Sequence, residues 1–493
     1  MGLSIDKDAF DPLEYARFVR RLQECLSELG RLLDRPGFGI GPATVGAELE
    51  LFLVDSAARA MPMNLTVRDM AADPRINVEL DRFDLELNAS PALLAGCPFS
   101  ALGSDLGVLM GRVRDLVSGY GGRPALIGIL PTLRRSDLHA NAITGTPRYR
   151  ALGTSLRQLR HGSFHIQIAG PDPLELACND VAVEGANCSF QVHLRVNPAD
   201  FARVYNAVQL ATAPALAVAG NSPTFLGHRL WEETRIALFK QSVDDRDGRE
   251  PRRRLSRTSF GTGWLRGGPA ELFAESVRLH PPVLPVTSGR EPGDGGDDSQ
   301  APPLDELRLH HGTVWRWNRA VYDPALGGHL RIEMRAFPSG PTMADMLANS
   351  AFLIGLSLWL AGRDQRWTYR LSFERAEHNF YRAAQHGLDA QLSWPFGRGN
   401  QVRTVQAADL VPELLPAARE GLMAAGVAAA EADRLLGIIA ARAATRQTGA
   451  AWQRKALAIA EQRLAREDAL AAMLERYLRY AASEHPAHTW PLT

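Results

Sequence analysis

Carboxylates stand where a buried strand should carry apolar side chains. In GAELELFLVD, Glu48 and Glu50 lie two residues apart inside an alternating run, so both project from one strand face. Like charges placed side by side repel unless something cationic sits between them. A solvated edge face is the blander account, but Phe52, next in that row, is not what a solvent face selects. The stretch ELDRFDLELNASP adds Glu86 on the face of Asp84, with Glu79 seven residues upstream of Glu86. In SFQVHLRV, Gln191 and His193 share one face, and Val192 and Leu194 the other. In LRIEMRAFPSGPT, Arg331, Glu333 and Arg335 oppose Ile332, Met334 and Ala336. Taken alone, a strand histidine is more often a hydrogen-bonded structural residue than a ligand. Together the four strands are either four independent solvated faces or one sheet whose concave face holds hard metal ions. Oxygen-rich donors with a single imidazole suit Mg2+ or Mn2+ rather than zinc. Arginines among carboxylates, with no nucleophilic Ser or Cys motif, point to phosphoryl chemistry, where arginines neutralise the charge that develops on transfer.

The elements that must position these residues follow from periodicity. A helix is predicted over 12–34, a strand over 44–54, a second strand over 84–89, a helix over 101–118 and a short buried strand over 124–130. Segments 164–168 and 189–196 read as an antiparallel pair with a long connection. A helix over 198–218 is expected to start at an N-cap, Asn197, with Pro198 in the first position. Strand patterning returns at 330–335, and from about residue 343 the chain reads as helical throughout, with 407–482 rich in Ala, Leu, Arg and Glu. The Pro, Gly and Asp-rich segment 281–303 reads as a flexible loop. Strands with scattered helices, then helices, give an α+β fold rather than a doubly wound sheet. The expected division is a catalytic domain over 1–404 and a helical region over 405–493. That region is expected to pack on the outer surface of the sheet, with an oligomerisation element as the other reading.

Composition narrows the function. The chain has 493 residues with 55 Lys+Arg against 55 Asp+Glu, and this zero balance argues against a dedicated nucleic-acid binder. Its four cysteines are scattered without a C-x-x-C pair, so neither a disulfide framework nor a thiolate zinc site is expected. The N-terminal segment is charged and amphipathic, unlike a signal peptide, and the longest apolar run, 351–362, is short for a bilayer. A cytoplasmic location with small-molecule partners, no membrane and no nucleic acid is the expectation; a homo-oligomer stays open. With neither G-x-G-x-x-G nor a Walker A sequence, any nucleotide must be held in another way.

Taken in order, Glu48-Leu-Glu50, Glu79 with Glu86, Pro147-Arg148-Tyr149-Arg150, Gln191-Val-His193, Asn221-Ser222-Pro223, and Glu333 with Arg335 resemble one known family. It is the bacterial glutamate–cysteine ligase family 2, carboxylate–amine ligases of the glutamine synthetase superfamily, and the resemblance spans roughly residues 40–400. It implies a glutamine synthetase-like saddle of mainly antiparallel sheet with flanking helices, using ATP and Mg2+. By that resemblance Glu50, Glu79 and Glu86 would serve one metal, and Glu48, His193 and Glu333 another. Arg335 would stabilise the transferring γ-phosphoryl group, and Arg235 would be a second clamp for phosphate or substrate carboxylate. Arg148 is a weaker candidate for the same work, and Gln191 would orient substrate or a water. For Arg235 the competing account is a helix-surface arginine paired with Glu232 or Glu233. The implied reaction phosphorylates a carboxylate, typically the γ-carboxylate of glutamate, to an acyl phosphate that an amine then attacks to form an amide. Ile129-Leu130-Pro131 stands where many members read T-H-P, and 281–303 looks like an addition, so the resemblance carries the reaction class further than the acceptor. A small-metabolite phosphotransferase of the same superfamily and a catalytically silent nucleotide-binding relative are the competing functions.

Overall fold

The computed structural model describes residues 3, 5–246, 254–289, 301–363, 367–396 and 401–492. Its centre is an antiparallel sheet built around β1 (Thr44–Val54). On one side β1 pairs with β3 (Asp84–Asn88), which pairs with the short β2 (Ile76–Val78). Two further short strands, β4 (Ala92–Leu93) and β5 (Arg123–Ala125), pair with the two ends of β1. Strands β6 (Phe164–Ile168) and β7 (Leu174–Cys178) form a separate hairpin. On its other side β1 pairs with β8 (Phe190–Arg195). The segment after the next helix carries a two-residue pair, β9 (Thr224–Phe225) and β10 (His228–Arg229). Strands β11 (Asn318–Asp323) and β12 (His329–Met334) complete the sheet, giving the order β11-β12-β8-β1-β3-β2.

Strand alternation sorts the side chains. Val45, Ala47, Leu49 and Leu51 of β1 lie level with Leu194, Val192, Phe190 and Leu85 on neighbouring strands, and all are buried. This apolar face belongs to a core that includes the helices Phe201–Ala217, Met343–Ala361, Ala407–Ala424 and Ala429–Thr445. Each fully buried leucine there contributes roughly 1.5–3 kcal/mol. Met343–Ala361 is long and apolar enough to cross a membrane by length and composition, but 78% of its most apolar window is buried in this core. A second core forms on the opposite face beyond Glu50. It joins Phe52, Phe83, Ile127 and Ile129 to Trp452, Tyr477 and Trp490 of the last segments, which include the helices Gly449–Ala460 and Arg466–Ala481. The C-terminal region therefore contributes to both cores, with Ala407–Ala424 and Ala429–Thr445 packed on the helix Met343–Ala361 rather than laid on the outer surface of the sheet.

Other expectations also change. Strand β6 does not pair with β8: it turns back on β7, because Leu174–Cys178, a strand the sequence reading missed, offers a nearer partner. Only Arg123–Ala125 of the predicted 124–130 strand is extended, since the chain then leaves the sheet through Gly128 and Pro131. The predicted helix over 198–218 opens with a 3-10 turn, Pro198–Asp200, and Asn197 does not cap it; its side chain instead accepts from Gly41 N at 3.2 Å. The helical run after residue 343 is interrupted by a hairpin of β13 (Gln391–Pro395) and β14 (Val402–Gln406). Within 281–303, residues 290–300 lie outside the described residues. The flanks are anchored, with Val283 and Leu284 buried and Ser288 N donating to Glu306 at 2.8 Å.

Candidate active site

Register assembles the polar face. Gly46 of β1 lies opposite His193, and His193 lies opposite Glu333 of β12. One position along, Glu48 is flanked by Gln191 and Asn88, and Glu50 lies opposite Glu86. Glu79 enters from the turn between β2 and β3. Two groups of donors result, Glu48–His193–Glu333 and Glu50–Glu79–Glu86, with the oxygen or nitrogen atoms of each group within 4.8 Å of one another. These are the six residues expected to hold metals, sorted into the two sets the resemblance implied.

The groups differ in how their charge is compensated. Among the described residues no arginine, lysine or histidine lies within ion-pair distance of Glu50, Glu79 or Glu86. Their hydrogen bonds come from Gln191 Nε2 (2.8 Å) and Ser189 N (2.6 Å) to Glu50, Leu80 N (3.1 Å) to Glu79, and Asn88 Nδ2 (2.7 Å) to Glu86. Burial and mutual repulsion then raise their pKa values: Glu79 is pushed up to about 8 by burial, Glu50 and Glu184, and Glu86 lies well above the usual carboxylate range. Burial also raises Glu50, although Arg235 and Arg335 oppose it. The second group is already charge-balanced. Arg319, directly across from Glu333 on β11, forks onto its carboxylate at 2.7 and 2.9 Å, and Arg335 Nη1 adds a third contact at 3.1 Å. His193 Nε2 lies 3.0 Å from Glu48 Oε1 and 3.9 Å from Glu333 Oε1. Despite burial, Arg319, Arg335 and His193 hold Glu333 well below its ordinary range, and His193 holds Glu48 lower.

Both groups suit a hard divalent cation. In the first, three carboxylates converge without a countercharge. In the second, the buried His193 has neither ring nitrogen in a hydrogen bond, leaving a donor free beside two carboxylates. A cation there competes with Arg319 for Glu333.

Gln191 is a bridge: its amide nitrogen holds Glu50 while its oxygen accepts from Arg335 Nη1. The first carboxylate group and Arg335 are thus fixed relative to each other. A narrow cavity opens beside them, lined by Glu50, Glu79, Asp84, Glu184, Arg235 and Arg335. Arg235 begins the helix Arg235–Ser242 and is only 3% exposed. It pairs with Glu233 at 3.1 Å, as the competing account held, yet from inside the cavity rather than on a helix surface. Gly128 lets it through: a Cβ there would sit 3.0 Å from Arg235 Cδ. Arg148 is not brought in. It is exposed at the start of the helix Pro147–Arg160, forms no hydrogen bond or ion pair with the described residues, and does not line the cavity. Its neighbour Tyr149 donates to Val78 O at 3.0 Å and lines a separate, wider cleft with Arg82, Arg150 and Arg157.

Three participants escaped sequence reading. Arg319 sits in WRWNRAVYD, where nothing marks it as Glu333's partner until register is known. Glu184, raised to about 8 by burial and Glu50, lies in a 3-10 turn with no strand periodicity. Asp81 is fully buried with both carboxylate oxygens unpartnered, close against Gly185.

The family model for glutamate-cysteine ligase family 2 (GCS2) matches residues 44–261. No curated protein matches the sequence. Among solved structures, glutamate–cysteine ligase from Francisella tularensis in complex with AMP aligns with a TM-score of 0.55 at 11% identity, covering 92% of this chain and 91% of that one. A bifunctional glutathione synthetase from Pasteurella multocida aligns at 12% identity with a TM-score of 0.46, over 94% of this chain and 55% of that one. Most of the polar sheet face lies inside residues 44–261, the stretch of this chain that is similar to glutamate–cysteine ligase family 2.

Proposed function

We propose that this protein is an ATP-dependent carboxylate–amine ligase that joins the γ-carboxylate of glutamate to an amine through an acyl phosphate. The observation that carries the reading is one polar sheet face that brings together two cation-suited donor groups, linked by Arg335 and Gln191, beside a cavity lined by Glu50, Glu79, Arg235 and Arg335. Divalent cations bound by Glu50, Glu79 and Glu86, and by Glu48, His193 and Glu333, would screen the repulsion between a substrate carboxylate and a triphosphate. Arg335, held by Glu333 and Gln191, presents a fixed guanidinium to the phosphoryl group during transfer. Arg235, anchored on Glu233 through one nitrogen, keeps its Nε without a partner for an anionic oxygen. The carboxylate oxygen attacks the γ-phosphorus, ADP leaves, and the amine displaces phosphate at the acyl carbon. No enzyme nucleophile enters, in keeping with buried Cys188 beside the cavity, whose thiol burial raises well above its usual range.

The test is phosphate release from Mg·ATP with glutamate and a panel of amines that includes cysteine. Amine-dependent release with a new amide mass supports the ligase. Phosphorylated product without amide turns the assignment to a phosphotransferase, and nucleotide binding without turnover turns it to a silent relative.

A further inference from the structure

The C-terminal helices reach Arg235 through an unbroken chain of buried hydrogen bonds. Gln453, on the helix Gly449–Ala460, donates Nε2 to Asn221 Oδ1 at 2.8 Å. Tyr477, on Arg466–Ala481, accepts from Asn221 Nδ2 at 2.8 Å and donates to Leu126 O at 2.7 Å. The same Asn221 amide also donates to Ser339 O at 2.7 Å, so every polar atom of its side chain is engaged. With its side chain fixed, Asn221 donates its backbone N–H to Glu233 Oε2 at 2.9 Å, and Ser222 Oγ donates to Glu233 Oε1 at 2.7 Å. Glu233 in turn holds Arg235 Nη1 at 3.1 Å. Asn221, Glu233, Tyr477 and Gln453 are all at most 1% exposed. Packing leaves no slack: a Cβ on Gly449 would fall 2.2 Å from Asn221 Oδ1, and one on Gly340 2.9 Å from the Tyr477 hydroxyl.

We infer that Tyr477 and Gln453 are positioning residues for Arg235, acting through Asn221 and Glu233, so that the last two long helices form part of the catalytic unit rather than an appendage. The inference rests on the clamp role of Arg235 in the ligase reading. Arg235 Nη1 is held by Glu233 Oε1 at 3.1 Å and by Ala336 O at 3.3 Å, and Glu233 is the charged one of the two, so the guanidinium is only as well oriented as that carboxylate. Among the described residues, Glu233 is fixed by Asn221 N on Oε2 and by Ser222 Oγ on Oε1, the oxygen it shares with Arg235. Loss of the Tyr477 hydroxyl leaves Asn221 Nδ2 and Leu126 O each short of a partner in a buried site, which favours a shift of the Asn221 loop.

Tyr477→Phe in the full chain tests this, with Tyr480→Phe as control, since Tyr480 belongs to the same aromatic cluster and its hydroxyl makes no hydrogen bond to the described residues. The expected result is a fall in kcat of about tenfold with KM for ATP nearly unchanged. In an Arg235→Ala background the same substitution should cost nothing further, because the two act as one unit. Tyr480→Phe should retain full activity. The Nε–Hε resonance of Arg235, assigned by its loss in Arg235→Lys, should move in Tyr477→Phe and stay put in Tyr480→Phe. An unmoved resonance, or an equal loss of kcat with and without Arg235, overturns the inference. If Tyr477→Phe does not fold, Gln453→Met removes the donor to Asn221 Oδ1 and is read by the same measurements. If wild-type protein releases no phosphate with any substrate pair, the ligase reading fails while the resonance still decides the relay.

Discussion

Replacing Glu79 with glutamine should stabilise the metal-free protein at alkaline pH while removing a cation ligand. Burial, Glu50 and Glu184 push the Glu79 carboxyl up to about 8, against an ordinary value near 4.5. A raised pKa in the folded state means that the folded form holds the proton more tightly. The associated stability is complete below about pH 4.5 and is lost as pH climbs through about 8. At about 1.4 kcal/mol per unit the full shift corresponds to about 5 kcal/mol. Glu79 is only partly buried, so water entering the cavity screens much of this, and about 1–3 kcal/mol is the expected remainder. Glutamine never ionises, so the variant should match wild type at pH 5 and exceed it at pH 9. Thermal unfolding in EDTA at several pH values measures the difference, and taking variant minus wild type cancels the titrating groups that do not interact with Glu79. Adding Mg2+ at pH 9 should then raise the wild-type Tm strongly and the Glu79→Gln Tm weakly. A variant less stable than wild type at pH 9 in EDTA, or one stabilised equally by Mg2+, would refute the reasoning that these three carboxylates await a cation.

Arg335→Lys should reduce amine-dependent phosphate release at least a hundredfold, because a point charge cannot engage Gln191, Glu333 and a phosphoryl group together; kcat at saturating ATP reads this. Arg319→Gln should free Glu333, raise its depressed pKa, and tighten Mn2+ binding at the Glu48–His193–Glu333 group, which Mn2+ paramagnetic resonance titration follows; unchanged affinity would show that the fork does not compete. Gly449→Ala should lower Tm, at a cost of about 1–3 kcal/mol, as its Cβ meets Asn221 Oδ1 at 2.2 Å and Pro341 Cγ at 2.6 Å. Glu48→Ala should abolish turnover while leaving Tm largely unchanged, since that side chain faces the polar groove; unfolding in its place would show a structural role.

The site residues on strands were legible because alternation alone fixes which side chains share a face. Glu48 and Glu50 against Leu49 and Leu51, and His193 against Val192 and Leu194, declare the polar and apolar faces without any knowledge of neighbours. What alternation cannot give is which strand lies beside which. Arg319 became Glu333's partner only through the β11–β12 hairpin register, and β6 was assigned to β8 because Leu174–Cys178 carries a weaker pattern than its partner. Glu184 and Asp81 stand in turns, where no period exists to read. Arg235 was implied by the family resemblance and lines the cavity; Arg148, implied in the same way, faces solvent, since a helix start does not reveal which way its side chains turn.

The second core also governs the order in which the protein can be made. Phe52, near the beginning of the sheet, belongs to one apolar cluster with Trp452, Tyr477 and Trp490. Hundreds of residues separate these partners, so this half of the molecule has contacts of very high sequence separation and closes late. On the ribosome the polar groove of β1, β3 and β8 is synthesised long before the helices that seal the neighbouring face. A growing chain therefore exposes Phe52, Ile127 and Ile129 until nearly all of its length has emerged. Vectorial synthesis leaves this protein dependent on protection from aggregation during that interval, and a ribosome stalled before residue 452 would release a chain whose second core has no lid.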